Sequence, residues 1–238
     1  MRTNKAKHET NNKIINRITS KNINKCKSRG QRTSNETNKD SLSVYYANCR
    51  SVINKIYYLK ALISYDNPDI LCLTETWVDT TSKHLLAEIN IPGYNLYKYD
   101  RTEKKGGGVA IYIRDTITCH LRSDISTNPT NESVWIEITG EGDNVLLGTV
   151  YRAPDLSKES GNYLWQEINK ASSNNRMCVV GDLNFPHINW NNLTGNSEAE
   201  DFLEAVLDNF LEQHVTSPTR GNNILDLVLS NRENMIEI

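Results

Sequence analysis

The strongest limit on how this chain folds comes from short, almost wholly apolar runs that each stop on a polar side chain. Ser43-Val44-Tyr45-Tyr46-Ala47 stops at Asn48, and Ile70-Leu71-Cys72-Leu73-Thr74 stops at Glu75. Val145 to Val150 stops at Tyr151. Met177-Cys178-Val179-Val180-Gly181 stops at Asp182, with Asn184 two places on, and Ile224-Leu225 meets Asp226 before Leu227-Val228-Leu229. Runs this short and this apolar read as buried strands. Strands that end on acids, amides and a phenol gather those groups at one edge of a sheet. Such an edge looks like a metal-assisted phosphate site.

Helices separate the strands irregularly. Val52, Ile56, Leu59 and Ile63 share one face of a helix predicted over 52–65, which Asn67-Pro68 stops. A moderate helix is expected over 158–171. A strong one is expected over 199–213, with Phe202, Leu203, Val206, Leu207, Phe210 and Leu211 as its apolar stripe. Tyr94 to Tyr99, Val109 to Ile113 and Ser133 to Ile138 are further strands, the last alternating at period two. The last clear strand runs from Ile224 to Leu229. Many strands with helices interposed irregularly predict an α/β fold of two stacked sheets flanked by helices. A chain of 238 residues suits one such domain.

Charge divides the chain. Residues 1–40 hold 11 basic and 3 acidic side chains, a formal charge of +8, which leaves −10 on the rest. That head has no apolar periodicity and cannot bury enough surface to offset its ordering entropy, so it is expected to be disordered. It is either a basic arm for nucleic acid or a solvated leader. The cysteines at 26, 49, 72, 119 and 178 form no C-x-x-C pair and read as reduced, structural thiols. No apolar stretch approaches the ~18 residues of a membrane span. The reading is an intracellular protein without membrane association.

Each polar strand end has a plain reading and a chemical one. Glu75 is a solvated strand end or a metal ligand on a rigid backbone. Asp182 and Asn184 make an Asx turn or supply a base and an amide donor. Asn48 caps the following helix or donates to a phosphate. Tyr151 is a lid on the core or a hydroxyl for a non-bridging oxygen. Asp226 is a paired acid or part of the same site. Magnesium needs only one or two carboxylates, since it keeps several waters.

The ordered set Tyr-Ala-Asn48, Leu-Thr-Glu75-Thr-Trp, Gly-Gly-Gly-Val-Ala-Ile-Tyr-Ile-Arg, Val-Tyr151-Arg-Ala-Pro, Gly-Asp182-Leu-Asn184-Phe-Pro and Leu-Asp226-Leu-Val-Leu resembles the endonuclease/exonuclease/phosphatase superfamily. Within it, the match is to the apurinic-like endonuclease domain of LINE-type non-LTR retrotransposons. The resemblance implies a four-layer α/β sandwich over residues 41–238. It also implies a Mg2+-dependent endonuclease that nicks DNA beside a reverse transcriptase, with DNA as partner, no small-molecule cofactor beyond the metal, and a nuclear location.

By the same resemblance, Asn48 orients Glu75 and the phosphate, and Glu75 binds the metal. Tyr151 touches the scissile phosphate, Asp182 activates water with Asn184 beside it, and Asp226 orients a histidine. Arg101 matches a DNA-contact position, and Glu132 is a weaker candidate. The family's closing Ser-Asp-His is not found before Ile238. His8, His84, His120, His187 and His214 all lie in other contexts, read as surface or core. The resemblance thus implies a sandwich lacking its final strand or strands, a bare sheet edge, and a weakened or inactive enzyme. A non-catalytic nucleic-acid-binding remnant is the alternative, and a phosphatase of the same superfamily is the third reading.

Overall fold

The computed structural model describes residues 14–19 and 41–237, apart from 79–82, 103–104, 127, 141–142 and 175. Among them the first sheet holds β1 (Ile14–Thr19), β2 (Ser41–Asn48), β3 (Ile70–Thr74), β4 (Tyr94–Tyr99), β5 (Val109–Arg114) and β12 (Ile236–Glu237). Their order is β12-β1-β2-β3-β5-β4. The second sheet holds β6 (Cys119–Leu121), β7 (Glu132–Ile138), β8 (Val145–Tyr151), β9 (Met177–Asp182), β10 (Glu212–Gln213) and β11 (Asp226–Ser230), ordered β10-β11-β9-β8-β7-β6. Both sheets are mixed: β2 runs parallel to β3, and β8 to β9, while the other pairs are antiparallel. Four helices complete the fold among the described residues: α1 (Val52–Asp66), α2 (Lys83–Ile89), α3 (Lys158–Ser172) and α4 (Ser197–Asp208).

Side-chain alternation along the strands builds the layers. In β3, Ile70 and Cys72 join Val44, Ile111, Ile136, Leu147, Val180 and Val228 in a core between the two sheets. Leu71 and Leu73 point the other way and pack under Val52, Ile56, Leu59 and Ile63 of α1. On the far side, Trp135, Leu146, Val179 and Leu227 meet Leu164, Trp165 and Ile168 of α3 and Phe202 and Val206 of α4. The central strands are therefore buried on both faces, which explains why their sequences are apolar without alternation. The helix–sheet–sheet–helix order is the α/β sandwich anticipated from the sequence.

Three details differ from the sequence reading. α4 ends at Asp208 rather than running to 213. Phe210 adopts a left-handed backbone (φ 52) and stays 89% exposed, and the next residues form β10 against β11. The apolar stripe continued past the cap because Leu211 is buried, though no longer as part of a helix. Ser51, not Asn48, caps α1, accepting from the Asn54 amide. Beside β2 the first sheet continues into β1 and then β12. β1 lies inside the basic head that was expected to be disordered; residues 1–13 and 20–40 of that head fall outside the described residues. No helix among the described residues is long and apolar enough to cross a membrane.

Candidate active site

Strand register assembles the site before any side chain is considered. In the second sheet Glu132 is paired with Tyr151, Tyr151 with Asp182, and Asp182 with Asp226. Four polar residues thus form one row across four adjacent strands, which lie about 4.8 Å apart. In the first sheet Asn48 is paired with Thr74, one residue short of Glu75. The two sheets bring these ends together: Asn48 Nδ2 donates to Glu75 Oε1 at 3.1 Å and to Asp182 Oδ2 at 2.7 Å. A single amide therefore joins carboxylates delivered by opposite sheets.

The backbone around this junction is held in costly conformations. Arg50, Ser51, Glu75, Trp77 and Asn184 all have positive φ without being glycine, each costing on the order of 1 kcal/mol. Backbone bonds lock them: Cys49 N–H to Thr74 O, Ser51 N–H to Glu75 O, Val52 N–H to Thr76 O and Trp77 N–H to Gly107 O, all within 3.0 Å. Gly107 has to be glycine, because a Cβ there would lie 2.3 Å from Glu132 Oε2 and its φ is +70. Such strain, fixed where the ends of the two sheets meet, is a mark of a preorganised site.

Each carboxylate has a distinct environment. Glu75 accepts the indole N–H of Trp77 on Oε2 at 3.1 Å. Asp182 is fully buried and takes Arg220 Nη2 at 2.7 Å on the oxygen that Asn48 also uses. Burial and the neighbouring Asp226 push the Asp182 carboxyl up from 3.8 to about 6, against the pull of Arg220 and Asn48. Asp226 accepts the hydroxyl of Tyr46 at 2.8 Å, and that hydroxyl also meets Thr74 Oγ1. Burial and then Asp226 drive the Tyr46 phenol well above its usual value, so it stays a donor.

Asn184 lies beside Asp182 as anticipated, but one of its amide hydrogens is committed to the Arg152 carbonyl at 2.7 Å, and its Oδ1 receives Arg220 Nη1 at 3.2 Å. Tyr151 is buried, and Arg101 stacks 5.6 Å above its ring. The Tyr151 phenol is raised by burial first and then by Glu75 and Asp182, which places it within their field. Arg101 donates through Nε to Glu132 Oε1 at 2.7 Å, and Nη2 bonds the same oxygen. Glu132 also receives the Gly108 amide. The glycine loop, Arg101 and Glu132 thus form one wall beside Tyr151.

The six strand-end residues 48, 75, 151, 182, 184 and 226 converge, with Arg101 and Glu132 alongside. No histidine among the described residues bonds Asp226; His214 pairs with Ser230, and His120 and His187 are exposed. Three participants escaped the sequence reading. Tyr46 precedes Asn48 by two, so strand alternation puts both on the inner face. Trp77 follows Glu75 by two on a strained turn. Arg220 sits on a turn before β11, and nothing local in the sequence pairs it with Asp182.

Among the described residues no three His, Cys, Asp or Glu side chains surround a common point closely enough to enclose a metal. The donor set nevertheless suits a hydrated hard cation, which needs only one or two carboxylates. Asn48 Oδ1 and Asp182 Oδ1 are buried oxygens without a hydrogen-bond partner, beside Glu75. With all three acids ionised, Arg220 is the one cation bonded to them among the described residues, leaving about −2 for a divalent ion to offset.

A sequence profile described as the endonuclease/exonuclease/phosphatase family matches residues 46–235. No curated protein matches the chain in sequence. Among solved structures, the endonuclease domain of TRAS1, a telomere-specific non-LTR retrotransposon, is similar at a TM-score of 0.59 and 14% identity, covering 78% of this chain and 82% of that one. The AP endonuclease LMAP from Leishmania major gives 0.58 and 14%, covering 79% and 78%. The 3′ phosphatase NExo from Neisseria, bound to product DNA hairpin, gives 0.54 and 18%, covering 79% and 86%.

Proposed function

Since the chain belongs to the endonuclease/exonuclease/phosphatase family, we propose that residues 41–238 form a Mg2+-dependent endonuclease domain of the non-LTR retrotransposon type, which hydrolyses a phosphodiester of DNA to leave a nick. The observation that carries this reading is the Asn48 amide held between Glu75 and Asp182. It supports a single charged centre spanning both sheets.

In this reading Glu75, with the free oxygen of Asn48, would hold the cation, and the free oxygen of Asp182 is left to take a proton. The bound cation supplies charge to the phosphoryl oxygens as the phosphodiester is attacked. Asp182 takes the proton of the attacking water. An acid that titrates at about 6 is mostly ionised at neutral pH yet basic enough to accept that proton. The Asn48 amide donates to Asp182 Oδ2 and holds that carboxylate in the centre. The Tyr151 hydroxyl and the remaining Asn184 N–H are the donors offered to the phosphate, where donors stabilise charge as it develops. Tyr46 fixes Asp226, whose charge keeps Asp182 basic. Arg101 and the glycine loop flank the DNA backbone.

The test is nicking of supercoiled plasmid by the purified chain with magnesium, repeated with Glu75→Ala and Asp182→Ala. The expected result is nicking that falls by roughly 10²-fold or more in both variants. DNA binding without nicking, unaltered by either substitution, makes the chain a binding remnant. Phosphate release from small esters without nicking makes it a phosphatase.

A further inference from the structure

We infer that Arg220 is a phosphate ligand of this site, a preset cation that engages the scissile phosphate of bound DNA. The inference rests on the endonuclease reading above. Three observations carry it. First, Arg220 is the only cation among the described residues that bonds any of Glu75, Asp182 and Asp226. Second, its guanidinium has five N–H donors, and two are used, one on Asp182 Oδ2 and one on Asn184 Oδ1. The other three meet no acceptor among the described residues, and the side chain is 36% exposed although its partner Asp182 is sealed from solvent. Two N–H groups are thus anchored while the rest of the guanidinium is left with donors to spare and partly open to solvent.

Third, the backbone that carries Arg220 is built to hold it there. Arg220 and Asn223 exchange backbone bonds across a tight turn, and Gly221 supplies the positive φ of 60 that the turn needs. Thr219 Oγ1 accepts the amides of Leu225 and Asp226, tying the turn to the strand that bears Asp226. A guanidinium held beside the acids with donors to spare can meet phosphate oxygens while it still pairs with Asp182.

The experiment uses the full chain and duplex DNA in EDTA, with binding measured across a salt series for the parent, Arg220→Gln, Arg220→Lys and the pair Asp182→Asn and Asp182→Asn/Arg220→Gln. Losing one phosphate contact should lower the slope of log affinity against log salt by about 0.9. Arg220→Gln should show that loss, and should show it again in the Asp182→Asn background, where no carboxylate is left unpaired. Arg220→Lys keeps the charge and the slope but loses the fork, so its nicking rate with magnesium should fall roughly tenfold or more. An unchanged slope in Arg220→Gln, a slope change that vanishes in the Asp182→Asn background, or an unimpaired nicking rate in Arg220→Lys each overturns the inference and leaves the endonuclease reading intact. A parent chain that neither binds nor nicks DNA overturns both.

Discussion

Replacing Asp182 with asparagine should give a folded protein whose stability gains on the parent's as the pH rises, while removing its activity. The carboxyl is buried and titrates at about 6, against 3.8 for an ordinary aspartate. Between those values the folded chain holds a proton that the unfolded chain has lost. Stability therefore falls as pH rises through this window and levels off above it. The whole gap is worth about 3 kcal/mol. About 2 kcal/mol of it lies between about pH 4.5 and 7.5, because the unfolded aspartate is already largely ionised at the lower pH. Asparagine has nearly the same shape and cannot ionise. The stability of Asp182→Asn relative to the parent should thus grow by about 2 kcal/mol over that range. Urea titrations in EDTA at both pH values measure it, and taking the difference cancels groups that titrate alike in both proteins. A relative stability that stays constant or shrinks as pH rises refutes the argument that Asp182 is held charged at a cost.

Two further substitutions probe the frame of the site. In Gly181→Ala the new Cβ would lie 1.9 Å from the Val150 carbonyl oxygen, between two parallel strands whose backbones cannot part without breaking the ladder. A loss of roughly 3 kcal/mol or more is expected, seen as a lower thermal midpoint; an unchanged midpoint contradicts the register. Trp77→Phe removes the N–H held by Glu75 Oε2. A bond to a charged group is worth about 1.5–3 kcal/mol, so nicking should need more magnesium and slow by roughly tenfold or more; a magnesium titration matching the parent excludes a role for the indole.

The polar ends of the apolar runs were legible in the sequence because burial forces a strand to be apolar until it emerges. What the sequence could not supply was register. Glu132, Tyr151, Asp182 and Asp226 fall in one row only through the pairings of β7, β8, β9 and β11. The overrun of α4 has a similar cause: the stripe through Phe210 and Leu211 fits a helix locally, but pairing with β11 decides the outcome there. Tyr46 was hidden inside an apolar run, since a tyrosine on a buried strand looks like core until Asp226 is found opposite its hydroxyl. Arg220 was out of reach because its contacts with Asp182 and Asn184 span 38 and 36 residues.

The central claim is that Asn48 and Asp182, brought from different sheets, work as one catalytic unit, and a double-mutant cycle on plasmid nicking tests it most directly. Asn48→Ala, Asp182→Ala and the double variant are compared with the parent at saturating magnesium. Groups that act as a unit lose function non-additively, so the double variant should be about as slow as the slower single one. Losses that multiply across the two sites would contradict the account.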